Sequence, residues 1–237
     1  MPYELYYWPS IQGRGEFVRL ALEEAGAEYI DVARDSKKGM AAMQSFMEKG
    51  ERPPFAPPFL KDGDFVIGQT AAILFYLGGR HDLAPKEEAG RLWTHQIQLT
   101  IADCVLEAHD THHPIASGLY YEDQKDEAAR RTQDFRDNRV PKYLEWCETI
   151  LARNPAGQKH LVGNRITYAD LSLFQVCAGL TYAFPKLMKR EWHKYPSVAA
   201  LQEAVAKRAR IKAYLASPRR IPFNESGIFR KYPELDA

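Results

Sequence analysis

The chain lacks what would assign it to several large classes of protein. Its 237 residues hold only three cysteines, Cys104, Cys147 and Cys177. That odd, widely spaced set without a CxxC pair argues against a disulfide framework and against a zinc ribbon. No apolar run approaches the roughly 20 residues of a membrane span, and the opening Met-Pro-Tyr-Glu-Leu has neither the basic nor the apolar region of a secretory leader. Charge of either sign is not in surplus: 32 Lys and Arg face 31 Asp and Glu, divided as 9 basic and 11 acidic up to residue 80 and 23 and 20 beyond it. Binding of nucleic acid through bulk charge is thereby excluded. Internal repeats and low-complexity tracts are missing as well. These absences predict a cytoplasmic chain of ordinary globular composition, long enough for one large domain or two modest ones.

What is present changes texture near residue 80. The aromatic run from Tyr3 to Trp8, closed by Pro9, reads as a short strand. Phe17, Leu20, Ala21 and Ala25 then recur at helical spacing as far as Gly26, a C-cap candidate, and Tyr29–Val32 reads as a second strand. A helical stretch over Lys38–Lys49 leads to four prolines within the seven residues 52–58, which cannot be helix interior. Phe59-Leu60 and Phe65–Ile67 flank the turn residues Asp62-Gly63-Asp64 as a hairpin, and Thr70, Ile73, Leu74 and Leu77 stripe a helix ending at Gly78-Gly79. The order βαβαββα predicts an α/β unit with a mixed four-stranded sheet over residues 1–80.

Beyond a short polar linker at 81–86 no strand signal survives. Residues 87–237 read as an all-helical domain, with long periodic stretches over Glu87–His113 and over Glu122–Arg153, the latter interrupted at Pro141. The sharpest local signal is Gly163 to Leu171. Thr167 as N-cap and Asp170 three residues later form a capping box, with Ile166 and Leu171 at the positions of a hydrophobic staple. The helix that follows is apolar on every side, so it is expected to run through the centre of the helical domain, with Asp170 serving folding rather than catalysis.

Read together, these pieces resemble the soluble glutathione transferases, whose thioredoxin-like N-terminal domain is followed by an all-helical one, and the resemblance covers essentially the whole chain. Tyr7-Trp8-Pro9 with Gly13-Arg14 is similar to the run that carries the catalytic tyrosine of the alpha, mu, pi and sigma classes. Pro57-Pro58-Phe59-Leu60 with Asp62-Gly63-Asp64 and Gln69-Thr70 is similar to the family's cis-proline, hairpin and Gln-Ser segment. Gly163 to Asp170 resembles its helix-start motif.

The resemblance implies glutathione as cosubstrate and no metal. A glutathione thiol with a pKa near 8.5 is only a few per cent thiolate at neutral pH. A phenol donating to sulfur beside a helix N-terminus supplies the roughly 2.7 kcal/mol that a two-unit depression requires. Tyr7 is the expected donor, with Ser10 as its rival and Arg14 beside them, in a loop one residue longer than in the tyrosine classes. The resemblance carries a cis peptide to Pro58. It makes Pro57 the residue that pairs with the cysteinyl backbone, although Pro57 has no N–H and can offer only its carbonyl. Gln69 and Thr70 would take the γ-glutamyl carboxylate at a helix start, Lys49 or Arg52 the glycyl carboxylate, and Asp103 the γ-glutamyl amine.

His109, His112 and His113 crowd the end of the first long helix, a polar helix end with imidazolium suited to the dipole rather than a metal site. His113, with Trp8 and Phe223, is a candidate for lining the second-substrate pocket. The last twenty residues interleave Phe223, Phe229 and Tyr232 with bases and are expected to pack on the body. The expected activity is thiolate attack on a hydrophobic electrophile, with thioether cleavage, isomerisation or peroxide reduction open to the same thiolate and a non-catalytic scaffold as the alternative. The absence of cysteine near residues 7–14 argues against mixed-disulfide chemistry. A two-fold homodimer is the expected assembly.

Overall fold

A computed structural model describes residues 1–35 and 39–236. The first 80 residues form a four-stranded mixed sheet in the order β2-β1-β3-β4, from β1 (Tyr3–Tyr6), β2 (Tyr29–Asp31), β3 (Phe59–Asp62) and β4 (Phe65–Gly68). β1 runs parallel to β2 and antiparallel to β3, with Leu5 opposite Leu60, Tyr6 opposite Phe59 and Glu4 opposite Lys61. That last pair is also a 2.6 Å ion pair across the strands. Period-2 alternation sends successive side chains to opposite faces. Leu5 and Leu60 join the core beneath α1 (Gly15–Ala25) and α4 (Thr70–Arg80), while Tyr6 and Phe59 stack 4.5 Å apart under α3 (Gly39–Lys49).

The second strand ends one residue earlier than its sequence suggests. Val32 leaves the strand and opens a short helix, α2 (Val32–Asp35), and Lys38, expected to begin the next helix, lies outside the described residues. The expected C-cap is observed, with Gly26 at φ +67. Such a left-handed residue suits glycine.

After residue 80 the described regular structure is helical: α5 (Glu88–Asp110), α6 (Lys125–Asp134), α7 (Val140–Arg153), α8 (Tyr168–Ala183), α9 (Pro185–Glu191), α10 (Pro196–Lys207) and α11 (Ala209–Leu215). α5 stops three residues short of the expected end at His113. There the Thr111 hydroxyl donates to the Ala108 carbonyl at 2.7 Å, a side-chain bond that competes with helix continuation. The second long stretch breaks before Pro141: a π turn over Phe135–Arg139 joins α6 to α7, and Pro141 sits in the first turn of α7, where its missing N–H is not needed.

α8 is the buried central helix that its sequence announces. The Asp170 carboxylate, fully buried, accepts the N–H groups of Thr167 and Leu161, each at 2.7 Å, and the Thr167 hydroxyl at 2.8 Å. One apolar core runs through both halves. The Tyr168 ring lies so close to Gly78 of α4 that a Cβ there would come within 2.6 Å of it. Among the described residues no helix is long and apolar enough to cross a membrane.

Candidate functional site

β1 ends at Tyr6, so Tyr7 is the first residue past the sheet and its side chain turns under the start of α1. Its ring is 4% exposed, and the Arg14 N–H donates to its hydroxyl at 2.8 Å. Two glycines make this possible. A Cβ on Gly13 would stand 2.0 Å from the Tyr7 hydroxyl and one on Gly15 would stand 2.6 Å from its ring, so the turn can wrap the phenol only without side chains. Burial pushes the phenol's pKa up. The backbone N–H groups of Arg14 and Gly15 and the charges of Arg14 and Arg19 pull it back without cancelling the rise. Tyr7 is therefore an uncharged O–H at neutral pH, its oxygen held by backbone donors and its proton available to an anion. That is the chemistry needed to stabilise a thiolate by donation.

Ser10 is exposed in the turn after Pro9. Its carbonyl accepts from the Asn224 side chain at 2.9 Å. Arg14, half-buried, is the residue at the start of α1 and brings both its N–H and its charge to Tyr7.

The Pro57–Pro58 bond is cis. Past the hairpin, Gln69 takes φ +66 directly before α4, so Thr70 is the first residue of that helix rather than its cap. Neither side chain caps the helix, and the Thr70 hydroxyl is buried without a hydrogen-bond partner. A buried, unpaired hydroxyl beside the free N–H groups of a helix start fits a carboxylate acceptor. The Thr70 hydroxyl thus suits a carboxylate acceptor and the Tyr7 hydroxyl a thiolate. Lys49 and Arg52 are exposed and in no ion pair among the described residues, and Asp103 is exposed on α5. Among the described residues no hydrogen bond or ion pair joins any of the three to the Tyr7 turn.

A family model described as "Glutathione S-transferase, N-terminal domain" matches residues 1–79, and a second, "Glutathione S-transferase, C-terminal domain", matches residues 109–218. The chain belongs to the glutathione S-transferase family. It is 28% identical to bovine glutathione S-transferase P over 239 aligned positions, covering 95% of this chain and 98% of that one. It is 29% identical to glutathione S-transferase P 1 of Xenopus laevis, covering 92% and 93%. The fold is similar to that of a pi-class glutathione S-transferase of Onchocerca volvulus, with a TM-score of 0.74 at 23% identity, covering 96% and 99%.

Within this family member the histidines pack against one another, with ring centroids 4.8–5.2 Å apart. Of the three clustered histidines, His109, His112 and His113, the first alone is on α5. His112 and His113 lie beyond its end, where the His112 Nε2 meets the Ile228 carbonyl at 2.8 Å and the His113 Nδ1 meets that of Leu119 at 2.9 Å. The expectation of imidazolium is corrected. Burial first, then the charges of Arg230 and Arg14 and the neighbouring rings, hold all three pKa values down, that of His112 to about 3. The Arg14 charge is among the influences that lower the His109 pKa. Among the described residues no three His, Cys, Asp or Glu side chains are arranged to hold a metal.

Trp8 remains 38% exposed beside Tyr7. Phe223 stacks on Tyr182 of α8 at 4.9 Å, in the tail segment whose Asn224 holds the Ser10 carbonyl, and it makes no ring contact with Trp8 or His113. Behind the turn lies a set of polar residues to which the sequence did not point, Gln12, Glu16, Arg19 and Gln175, the last three fully buried, together with Arg220, whose place among the tail's bases suggested an anionic second substrate but which pairs with Glu16. The one signal for them was charge on α1 among apolar neighbours. Their partners lie up to 204 residues away in sequence.

Proposed function

We propose that this glutathione transferase generates its thiolate with Tyr7 and directs it at a hydrophobic electrophile. The observation that carries the reading is the buried phenol, uncharged and pinned through its oxygen by the Arg14 N–H. With the oxygen so held, the O–H proton points away from the helix start and can be donated to the sulfur of bound glutathione. The thiol's own proton leaves to solvent, and the remaining anion is met by the phenol and the positive end of α1. Proximity to an electrophile held against Trp8, Arg14 and His109, with His113 and Phe223 as the other candidate lining residues, completes the reaction.

Glutathione placement follows the residues: the carbonyl of Pro57 for the cysteinyl N–H, Gln69 and Thr70 for the γ-glutamyl carboxylate, and Lys49 or Arg52 for the glycyl end. The division of labour follows the segment between α4 and α5, with cosubstrate binding before residues 81–86 and choice of electrophile after. Ser10, exposed and with its carbonyl engaged by the tail, is the weaker candidate for activating the thiol.

Two further proposals go with this reading. The chain acts in the cytoplasm, consistent with three buried free thiols. It forms a homodimer, and the support is on the surface: Leu92, Leu99 and Leu106 stand seven residues apart on α5 at 58%, 49% and 50% exposure, and Phe55 is 98% exposed in the proline-rich loop. Asp103 lies within the leucine stripe, so the dimer would decide what it faces.

Pro57 favours a second reading, a binding protein without catalysis, because its missing N–H removes one backbone bond to the ligand. The test separates the two. Retention on glutathione resin with conjugating activity toward a panel of electrophiles is expected. Tyr7→Phe should raise the apparent pKa of bound glutathione by about 1–2 units, the worth of one hydrogen bond to a charged acceptor. An unchanged titration would transfer the role to Ser10, and failure to bind millimolar glutathione would leave the binding-scaffold reading.

A further inference from the structure

The C-terminal segment reaches back to the turn that holds Tyr7 and closes a ring of hydrogen bonds with it. The Gln175 amide of α8 donates to the Gln12 side-chain oxygen at 2.8 Å, and the Arg220 guanidinium donates to the Gln175 oxygen at 3.0 Å. Arg220 also donates to the Glu16 carboxylate, whose own backbone N–H bonds the Gln12 carbonyl at 3.0 Å. A second tie runs from the Gln12 amide to the Ile221 carbonyl at 2.5 Å. Every member is buried or nearly so: Glu16 and Gln175 are at 0%, Gln12 at 5%, and the Arg220 side chain at 11%. The charged and titratable groups facing Glu16 are Arg220 from the tail, Arg19 from α1 at 3.3 Å and the Tyr214 hydroxyl of α11 at 2.6 Å.

Gln12 and Glu16 bracket Gly13, Arg14 and Gly15. Those three residues are the backbone that wraps the Tyr7 phenol. A polar ring buried in low dielectric is rigid when every member is satisfied and costly when one is removed. We infer that the tail is a component of the active site, with Arg220 and Gln12 as positioning residues that fix the 12–16 turn and through it the hydroxyl of Tyr7. The inference rests on the reading of Tyr7 as the thiol-activating group. It also assigns the tail a fixed place, with Arg220 as a wedge between Glu16 of α1 and Gln175 of α8.

The experiment titrates the thiolate absorbance of glutathione bound to the full-length protein and to four variants. Tyr7→Phe is the reference. Arg220→Gln breaks the ring and removes the cation balancing Glu16, and the apparent pKa should rise by about one unit, a roughly ten-fold loss of thiolate well below the pKa. Gln175→Ala opens the same ring without changing charge and should give a smaller rise. Arg219→Gln removes the neighbouring ion pair of the tail to Glu23, which does not touch the turn, and should titrate like the parent. Should Arg220→Gln not fold, Arg220→Lys, which keeps the charge and loses the second bond, is judged by the same criterion. If Tyr7→Phe shifts the titration and the Arg220 and Gln175 variants do not, the tail is a structural strap only and the inference fails alone. If Tyr7→Phe does not shift it, the reading of Tyr7 fails and the inference with it. Equal shifts from Arg219→Gln and Arg220→Gln would also overturn it, since any loosening of the tail would then suffice.

Discussion

Replacing Gly13 by alanine tests the Tyr7 turn through a single methyl group. Gly13 has φ +44, and the added carbon would stand 2.0 Å from the Tyr7 hydroxyl, where ordinary contact begins near 3.4 Å. The hydroxyl would have to retreat by roughly 1.4 Å, the difference between those distances, and the 2.8 Å bond to the Arg14 N–H would be lost. Two costs follow. A left-handed alanine costs about 1–2 kcal/mol, and an unmade hydrogen bond at a buried donor costs about 1–3 kcal/mol more. Displacement of a catalytic group by about 1 Å is worth roughly 100-fold in rate. Gly63→Ala is the matched control, because it has φ +58 in the β3–β4 hairpin and nothing within 4 Å of the new carbon. It should lower Tm by a few degrees, at about 2–4 °C per kcal/mol for a chain of this size, and leave kcat/KM intact. Gly13→Ala should lose more stability and about 100-fold in kcat/KM at pH 6.5. Equal stability and equal activity in the two variants would refute the close approach of turn and phenol.

Three other outcomes are expected. Asp170→Ala should destabilise the protein by about 2–4 kcal/mol in urea unfolding, because the Thr167 and Leu161 N–H groups lose their buried acceptor; a loss under about 0.5 kcal/mol would contradict the capping role. His112, with its folded pKa near 3, binds fewer protons folded than unfolded between that value and about 6.5. It therefore makes the parent lose stability as pH falls through that window, by at most about 1.4 kcal/mol per unit. His112→Gln, which keeps a donor for the Ile228 carbonyl, should flatten the slope between pH 6 and 4, and an unchanged slope would show that His112 is protonated in the folded state. Leu99→Lys at the middle of the exposed leucine stripe should convert a dimer to a monomer in sedimentation experiments; an unaltered dimer would move the interface elsewhere.

The parts of this fold that were legible in the sequence are those set by residues close together in the chain. The Thr167–Asp170 helix start, the Asp62–Asp64 hairpin and the Gly26 cap each depend on a few neighbours, and each stands where its pattern put it. Tyr7 was legible as a candidate because Trp8, Pro9, Gly13 and Arg14 flank it within eight residues. α5 ends three residues before His113 because Thr111 turns its hydroxyl onto the Ala108 carbonyl and His112 finds the distant Ile228. Histidine protonation was misjudged for the same reason. A helix end favours imidazolium, but the tail covers this one and brings Arg230 with it. Nothing local announces that Gln12 meets Ile221 or that Glu16 meets Arg220, because those contacts exist only once both halves of the chain and the tail have docked.

The three cysteines end as core residues. Cys104, Cys147 and Cys177 are fully enclosed, and burial pushes each thiol far above neutral pH, that of Cys147 to about 12. A protein whose work is to gather electrophiles beside a thiolate runs a standing risk of alkylating itself. Here the nucleophilic sulfur arrives with each molecule of cosubstrate and departs with the product, while the chain's own sulfurs stay protonated and out of reach, so turnover does not consume the catalyst.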